Sequence, residues 1–158
     1  MKPGIQPKPR WWTGLAVGLL LISLLSGCAA DTGSPPGTSG DTVSLAVYCR
    51  IATDAGLAGL PEDGVMLAPV ELDWVEDETV AQLLERAARE QKLAVSSQGS
   101  GSMKFIVSIG GLAAVDGRSG WMFSVNGEII MVGSGTVKVE AGDHIEWHYT
   151  MDSGSDLS

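Results

Sequence analysis

The stretch Asp77-Glu-Thr-Val-Ala-Gln-Leu-Leu-Glu-Arg-Ala-Ala-Arg-Glu-Gln-Lys92 decides the fold class, because it is the one segment with a clear helical signature. Thr79 and Gln82 form a capping box, in which each side chain satisfies an N–H that the helix start would otherwise leave unpaired. Asp77 and Glu78 place negative charge beside the positive end of the helix dipole. Val80, Leu83, Leu84 and Ala87 recur at i, i+3, i+4 and i+7, one apolar stripe on an otherwise charged surface. Glu85, Arg86, Arg89 and Glu90 take the outer face, and Lys92 closes the end. What flanks this helix is strand.

Upstream, Val43, Leu45, Val47, Cys49 and Ile51 alternate with Ser44, Ala46, Tyr48 and Arg50, a period-2 strand with one buried face. Residues 53–64 have turn chemistry. Val65 to Val75 reads as a second extended stretch, and Pro69 within it marks an edge or a bulge. Downstream, Gln98–Met103 is a loop, Phe105, Val107 and Ile109 share one strand face, and Gly110-Gly111 begins a loop that runs to Gly120. Asn126-Gly127 is a type I′ hairpin turn, so Trp121–Val125 should pair with Glu128–Val132. Val137 and Val139 mark a short strand, and Ile145, Trp147 and Tyr149 alternate in the last one. One helix against a mixed sheet is an α+β class. Its expected form is β-grasp-like, a mixed sheet curled around and packed on a single helix.

The N-terminus has another character. Lys2, Lys8 and Arg10 precede an apolar core from Leu15 to Leu25, about a dozen residues, too short for a comfortable span of a bilayer core of about 30 Å. Leu25-Ser-Gly-Cys28 resembles the lipobox of bacterial lipoprotein signal peptides. That resemblance implies cleavage before Cys28, lipidation of Cys28, and a mature protein held by acyl chains on a cell membrane or outer membrane, facing outside the cytoplasm. In a cell with two membranes, Ala29 stands after the cysteine in place of the aspartate associated with inner-membrane retention. Residues 1–27 are then a signal peptide and residues 28–42, rich in Gly, Pro, Ser and Thr, a flexible linker. The folded domain spans 43–150, and 151–158 is an acidic tail expected to fray.

The whole chain of 158 residues has a formal charge of −9. The segment 1–27 holds three of its ten basic residues and none of its nineteen acidic ones; seven basic against nineteen acidic residues leaves −12. Such a surface repels phosphate backbones, so nucleic acid is not an expected partner. With Cys28 acylated, Cys49 has no partner in the chain, so no disulfide staples the domain. His144 and His148 point to one strand face about 13 Å apart at roughly 3.3 Å per residue, too far to share a metal ion. No nucleophile elbow, P-loop or dinucleotide fingerprint is present. Neither an enzyme nor a required cofactor or metal is expected.

Of the three tryptophans beyond the signal, Trp147 reads as core, and Trp121, at the mouth of a glycine-rich loop, as core or as a ligand platform. Ile129-Ile-Met-Val132 places four apolar residues in a short arm, and alternation buries only half of them.

The blocks Ser119–Glu128 (SGWMFSVNGE), Val132–Gly135 (VGSG) and Val139–Thr150 (VEAGDHIEWHYT), with Asp77–Val80 and Ile109–Leu112, resemble the transcobalamin-like C-terminal domain family, found in bacterial secreted and surface-anchored proteins. The resemblance implies a β-grasp-like fold and a hairpin that faces a corrinoid. Carried over by position, it makes Trp121, Ile130, Met131, Val132, Gly133 and Leu112 the ligand-facing residues. The family is similar to the small β domain of the vitamin B12 carriers of animals, in which a large helical domain holds the other face of the cobalamin; no such partner domain is expected in this chain. The expected function is a lipid-anchored binding module for a cobalamin-like corrinoid or another large flat ligand. The alternative is a cell-surface domain that docks a protein or envelope polymer through the same edge.

Overall fold

A computed structural model describes residues 41–157. The signal segment 1–27, the lipobox cysteine Cys28 and the linker up to residue 40 lie outside the described residues. Eight strands and two helices follow in the order β1 (Thr42–Tyr48), α1 (Arg50–Asp54), β2 (Val65–Asp73), α2 (Val80–Gln91), β3 (Val95–Gln98), β4 (Phe105–Ile109), β5 (Leu112–Ala113), β6 (Gly120–Val125), β7 (Glu128–Ile130) and β8 (His144–Thr150). A one-turn 3₁₀ helix covers Gly101–Met103. The strands form a five-stranded sheet in the order β2-β1-β8-β6-β7 and a three-stranded sheet in the order β3-β4-β5. β1 and β8 run parallel, and the other pairs are antiparallel. The class is α+β. Among the described residues no helix is long and apolar enough to cross a membrane.

The expected helix is α2. Thr79 Oγ1 accepts from the Gln82 N–H at 3.4 Å, and Gln82 Oε1 accepts from the Thr79 N–H at 2.9 Å, completing the capping box. Val80, Leu83, Leu84 and Ala87 are fully buried. They meet Val43, Leu45 and Val47 of β1, Ile145 and Trp147 of β8, and Phe123 of β6 in one core, which Ile106 and Ile109 of β4 join. Lys92 ends α2 in a left-handed conformation, φ 57°. Glu78 and Arg86 pair through two hydrogen bonds of 2.9 and 2.7 Å, and Arg86 also donates to the Asp73 carbonyl at 2.8 Å, tying α2 to the end of β2. Pro69 marks both an edge and an irregularity: β2 lies at the sheet edge, and its register with β1 shifts between Leu45 and Val47.

Several expectations are corrected. The alternation that begins at Val43 does not continue to Ile51: the chain leaves the extended region at Cys49 (φ −124°, ψ 28°), and Arg50–Asp54 forms the short second helix α1. Cys49 and Ala52 are buried, so the apolar residues still point inward, on a helical turn instead of a strand. β3 and β5 were not expected. They exist as partners for β4, whose register with β3 shifts between Ser96 and Ser97. That shift changes which residues of β4 face inward. Ile106 and Ile109 are buried, whereas Phe105 is 52% exposed. Val137 and Val139 form no strand of their own; their backbone serves α2 and its approach, with Val80 N–H donating to the Val137 carbonyl and Val139 N–H to the Glu78 carbonyl, both at 2.9 Å. Residues 151–157 do not fray. Asp156 accepts from the Thr150 hydroxyl and from the Met151 N–H, and the Ser153 N–H donates to the Arg118 carbonyl at 2.8 Å.

Candidate ligand-binding site

Asn126 and Gly127 turn the hairpin with φ 53° and 84°, the left-handed pair that a type I′ turn requires. Asn126 pins this turn to the sheet: its amide donates to Asp143 Oδ1 at 2.8 Å, and its Oδ1 accepts from the His144 N–H at 2.9 Å. β6 and β7 then pair Val125 with Glu128, Ser124 with Ile129 and Phe123 with Ile130. Phe123 is in the core, so its partner Ile130 packs against the core as well. β7 ends there, two residues short of the expected arm. Met131 and Val132 leave the sheet edge 77% and 57% exposed.

The chain next folds under the start of α2. Ala81 N–H donates to the Ser134 carbonyl at 3.1 Å, which with the Val137 carbonyl satisfies two of the N–H groups that a helix start leaves unpaired. Ser134 is therefore buried, and Met131–Gly133 is held at a set distance from the helix. Gly135 and Thr136 also touch the 3₁₀ turn. Gly135 N–H donates to the Lys104 carbonyl at 3.3 Å, and the Thr136 hydroxyl to the Ser102 carbonyl at 3.2 Å. A Cβ at Gly135 would collide with the Gly101 carbonyl oxygen. Gly133 likewise neighbours the Ser102 and Lys104 carbonyls, so Met103, 77% exposed, and Phe105 belong to the segment that runs beside the one carrying Met131 and Val132. Lys104, between them, is held by Glu85 at 2.8 Å. Burial works against the Glu85 charge, but the Lys104 ammonium and the Ser97 hydroxyl outweigh it and hold the carboxyl below its ordinary range.

Of the residues expected to face a ligand, Met131, Val132 and Gly133 are together and exposed. Ile130 is turned inward. Trp121 and Leu112 are elsewhere: Trp121 Nε1 donates to the Leu112 carbonyl at 2.8 Å, and its ring meets Tyr149 edge-on at 5.3 Å. Leu112 is buried in the small cluster around Tyr149. Both act in packing there. Met103 and Phe105 are the additions. Only their exposure reveals them, since by alternation Phe105 shares a strand face with Val107 and Ile109, and Met103 reads as part of a glycine-serine loop.

The polar groups of the sheet do not assemble a catalytic relay. Ser124 Oγ and Glu146 Oε2 both approach the same nitrogen of His148, Nε2, at 3.4 and 3.5 Å. A serine nucleophile with an acid-oriented histidine needs the two partners on opposite ring nitrogens. Among the described residues no group of three or more His, Cys, Asp or Glu is placed to hold a metal ion.

A family model described as a domain of unknown function, DUF4430, matches residues 77–151, which span α2, the hairpin and β8. No curated protein matches the sequence. Among solved structures, haptocorrin in complex with Cbi is similar with a TM-score of 0.50 and 18% identity, over 78% of this chain and 28% of that one. A protein of Ruminococcus gnavus ATCC 29149, described as a candidate for metal binding, is similar with a TM-score of 0.49 and 16% identity, over 70% of this chain and 96% of that one. The likeness to haptocorrin is one of fold, and this chain spans less than a third of that protein's length.

Proposed function

We propose that this protein is a non-enzymatic binding module of β-grasp form. In this reading Cys28 carries the lipid that holds it outside the cytoplasm, and the edge formed by Met131, Val132, Met103 and Phe105 binds a large flat ligand of the corrinoid class. The observation that carries the reading is that edge: four large apolar side chains exposed where two loops are hydrogen-bonded together. Isolated exposed apolar residues are ordinary, but neighbouring ones at a rigidly tied edge mark a contact surface. Methionine suits such a surface, because its unbranched, polarisable side chain adapts to the shape it meets. Haptocorrin, similar in fold, is a protein solved with Cbi bound, which supports the choice of ligand class.

Equilibrium dialysis against cobinamide, cobalamin and haem tests the reading on the full chain. The expected result is saturable binding of a corrinoid that weakens at least tenfold in Met131→Asp and in Phe105→Asp. No binding of any of the three, or equal binding by wild type and both variants, removes the hairpin edge as a corrinoid site. For the anchor, metabolic labelling with a fatty-acid analogue should mark the wild type and not Cys28→Ala. Equal labelling of the two would overturn lipidation at Cys28.

A further inference from the structure

The five-stranded sheet has a second face, turned away from α2, with a cleft of about 340 Å³ at one end. That volume lies within the range of small-molecule pockets. Parallel pairing of β1 with β8 sets Ala46 beside Glu146 and Tyr48 beside His148. The Tyr48 and His148 rings stack, with centroids 5.7 Å and planes 26° apart. Arg50, at the start of α1, holds its guanidinium carbon 4.6 Å from the centre of the Tyr48 ring. Residues two apart on one strand face are separated by roughly 7 Å. Glu146 and the His148–Tyr48 pair are therefore successive along the cleft, with the Glu146 carboxylate 3.5 Å from the His148 ring and the Arg50 guanidinium over the Tyr48 ring, so an anion and a cation flank the stacked pair. Ile51 and Leu157 supply apolar wall.

The two charges are not spent on each other. Among the described residues Arg50 forms no ion pair, and its one charge contact is the Tyr48 ring. Among the described residues Glu146 is paired only with His148. Burial lowers the pKa of His148, Glu146 opposes that shift and Arg50 adds to it, so the imidazole is neutral near pH 7 and leaves the carboxylate uncompensated. Asp156, also at the rim, is already engaged by the Thr150 hydroxyl and the Met151 N–H. Beneath the rings Ser124 is buried against His148. Desolvated polar groups beside unpaired charges weaken a fold, and in a cleft they mark a binding site.

We infer that this cleft binds a small dipolar ion of the short-peptide class, with both termini charged. Its carboxylate lies on Arg50, whose planar fork matches a carboxylate at two points, and its ammonium on Glu146. The aliphatic part rests between Ile51 and Leu157, along the edges of Tyr48 and His148. The net charge of −9 disfavours a simple anion, whereas a dipolar ion has no net charge to repel. The cleft is formed by β1, α1, β8 and the C-terminal turn, and the hairpin edge ends the sheet at β7. The two sites are tested independently.

Isothermal titration of the full chain with the dipeptide alanyl-leucine, its N-acetyl form and its C-terminal amide tests this inference. The wild type should bind the dipeptide, and each capped form at least tenfold more weakly. Arg50→Gln should lose the preference for the acid over the amide while keeping that for the free amine. Glu146→Gln should do the reverse. Both positions are at the surface, and circular dichroism checks that each variant folds; if one does not, the other still decides. Absence of dipeptide binding at millimolar concentration, equal binding of the acid and amide by the wild type, or unchanged preferences in both variants would each overturn it.

Discussion

The two faces of the five-stranded sheet are made from the same strands and obey different rules. On the α2 side, Leu45, Val47, Ile145 and Trp147 are at most 1% exposed and pack as one apolar body. On the other side the neighbouring residues of the same strands are Ser44, Ala46, Tyr48, Glu146 and His148, and the last three line a cleft. The hairpin edge adds a third environment, with Ile130 turned inward and Met131 turned out within a single residue. A two-layer domain needs one sealed face for stability; what it does with the remaining surface is free to serve recognition.

The contrast predicts where stability resides. Leu84→Ala removes a fully buried side chain from the centre of the α2 face and should cost about 2–5 kcal/mol in urea unfolding. Glu146→Gln on the opposite face should change stability by less than about 0.5 kcal/mol. Similar losses from both would break the comparison, because the cleft would then be part of the core.

The start of α2 gives the next largest effect. Thr79→Ala deletes the hydroxyl that accepts from Gln82 N–H and should cost about 1 kcal/mol. The neighbouring Val80 and Ala81 N–H groups keep their partners in the 134–137 segment, so the helix should persist. Loss of the whole far-ultraviolet helical signal in this variant would show that the capping box is required for α2 to form at all.

The parts of the fold set by local chemistry were legible in the sequence. The Thr79–Gln82 box, the Val80–Ala87 stripe, the Asn126-Gly127 turn and Pro69 at an edge each follow from bonds or sterics within a few residues. What was not legible depends on distant partners. Arg50–Asp54 keeps the inward pointing of an alternating strand while coiling into a helix, so apolar periodicity alone misassigns it. Phe105 turns outward because the register of β4 slips against β3, a property of the pair and not of either segment. Val137 and Val139 favour a strand, yet their carbonyl and N–H groups are taken by the approach to α2. The cleft joins Tyr48 and Arg50 to Glu146 and His148, about one hundred residues later, and in sequence these polar residues read as the solvated side of two strands. Trp121 illustrates the converse: its position beside a glycine-rich loop reads equally as core or as ligand platform, and its hydrogen bond to the Leu112 carbonyl and edge-on contact with Tyr149 depend on partners that the loop sequence does not announce.

Acid should separate the two faces. The native pKa of His148 is lowered by burial, so below neutrality the folded chain binds fewer protons than the unfolded one. Its contribution is fully present above the ordinary histidine value near 6.5 and is lost as pH falls through that value toward the native one. The carboxyls held low in the native state, Glu85 and Asp156, contribute above their ordinary values and weaken the fold only as pH falls below about 4.5. Denaturant midpoints measured between pH 7.5 and 5 should decline for the wild type and stay flatter for His148→Gln. Equal slopes for the two would mean that the imidazole is not desolvated by the cleft.

The smallest expected change in stability is at the hairpin. Met131 is 77% exposed and follows the last ladder pair of β7, so its side chain contributes little to packing and its backbone lies outside the named strands. Aspartate there removes no buried contact and creates no buried charge, the two mechanisms by which a single substitution costs most. Met131→Asp should therefore melt within a degree or two of the wild type, corresponding to less than about 0.5 kcal/mol for a domain of this size. Ile130, one residue earlier, pairs with Phe123 and packs against the core, so aspartate at that position should be clearly destabilising. If both variants melt like the wild type, the arm has no inner face and the edge is a mobile strap. If both are destabilised, Met131 is packed in solution and does not present the open surface that a ligand would need.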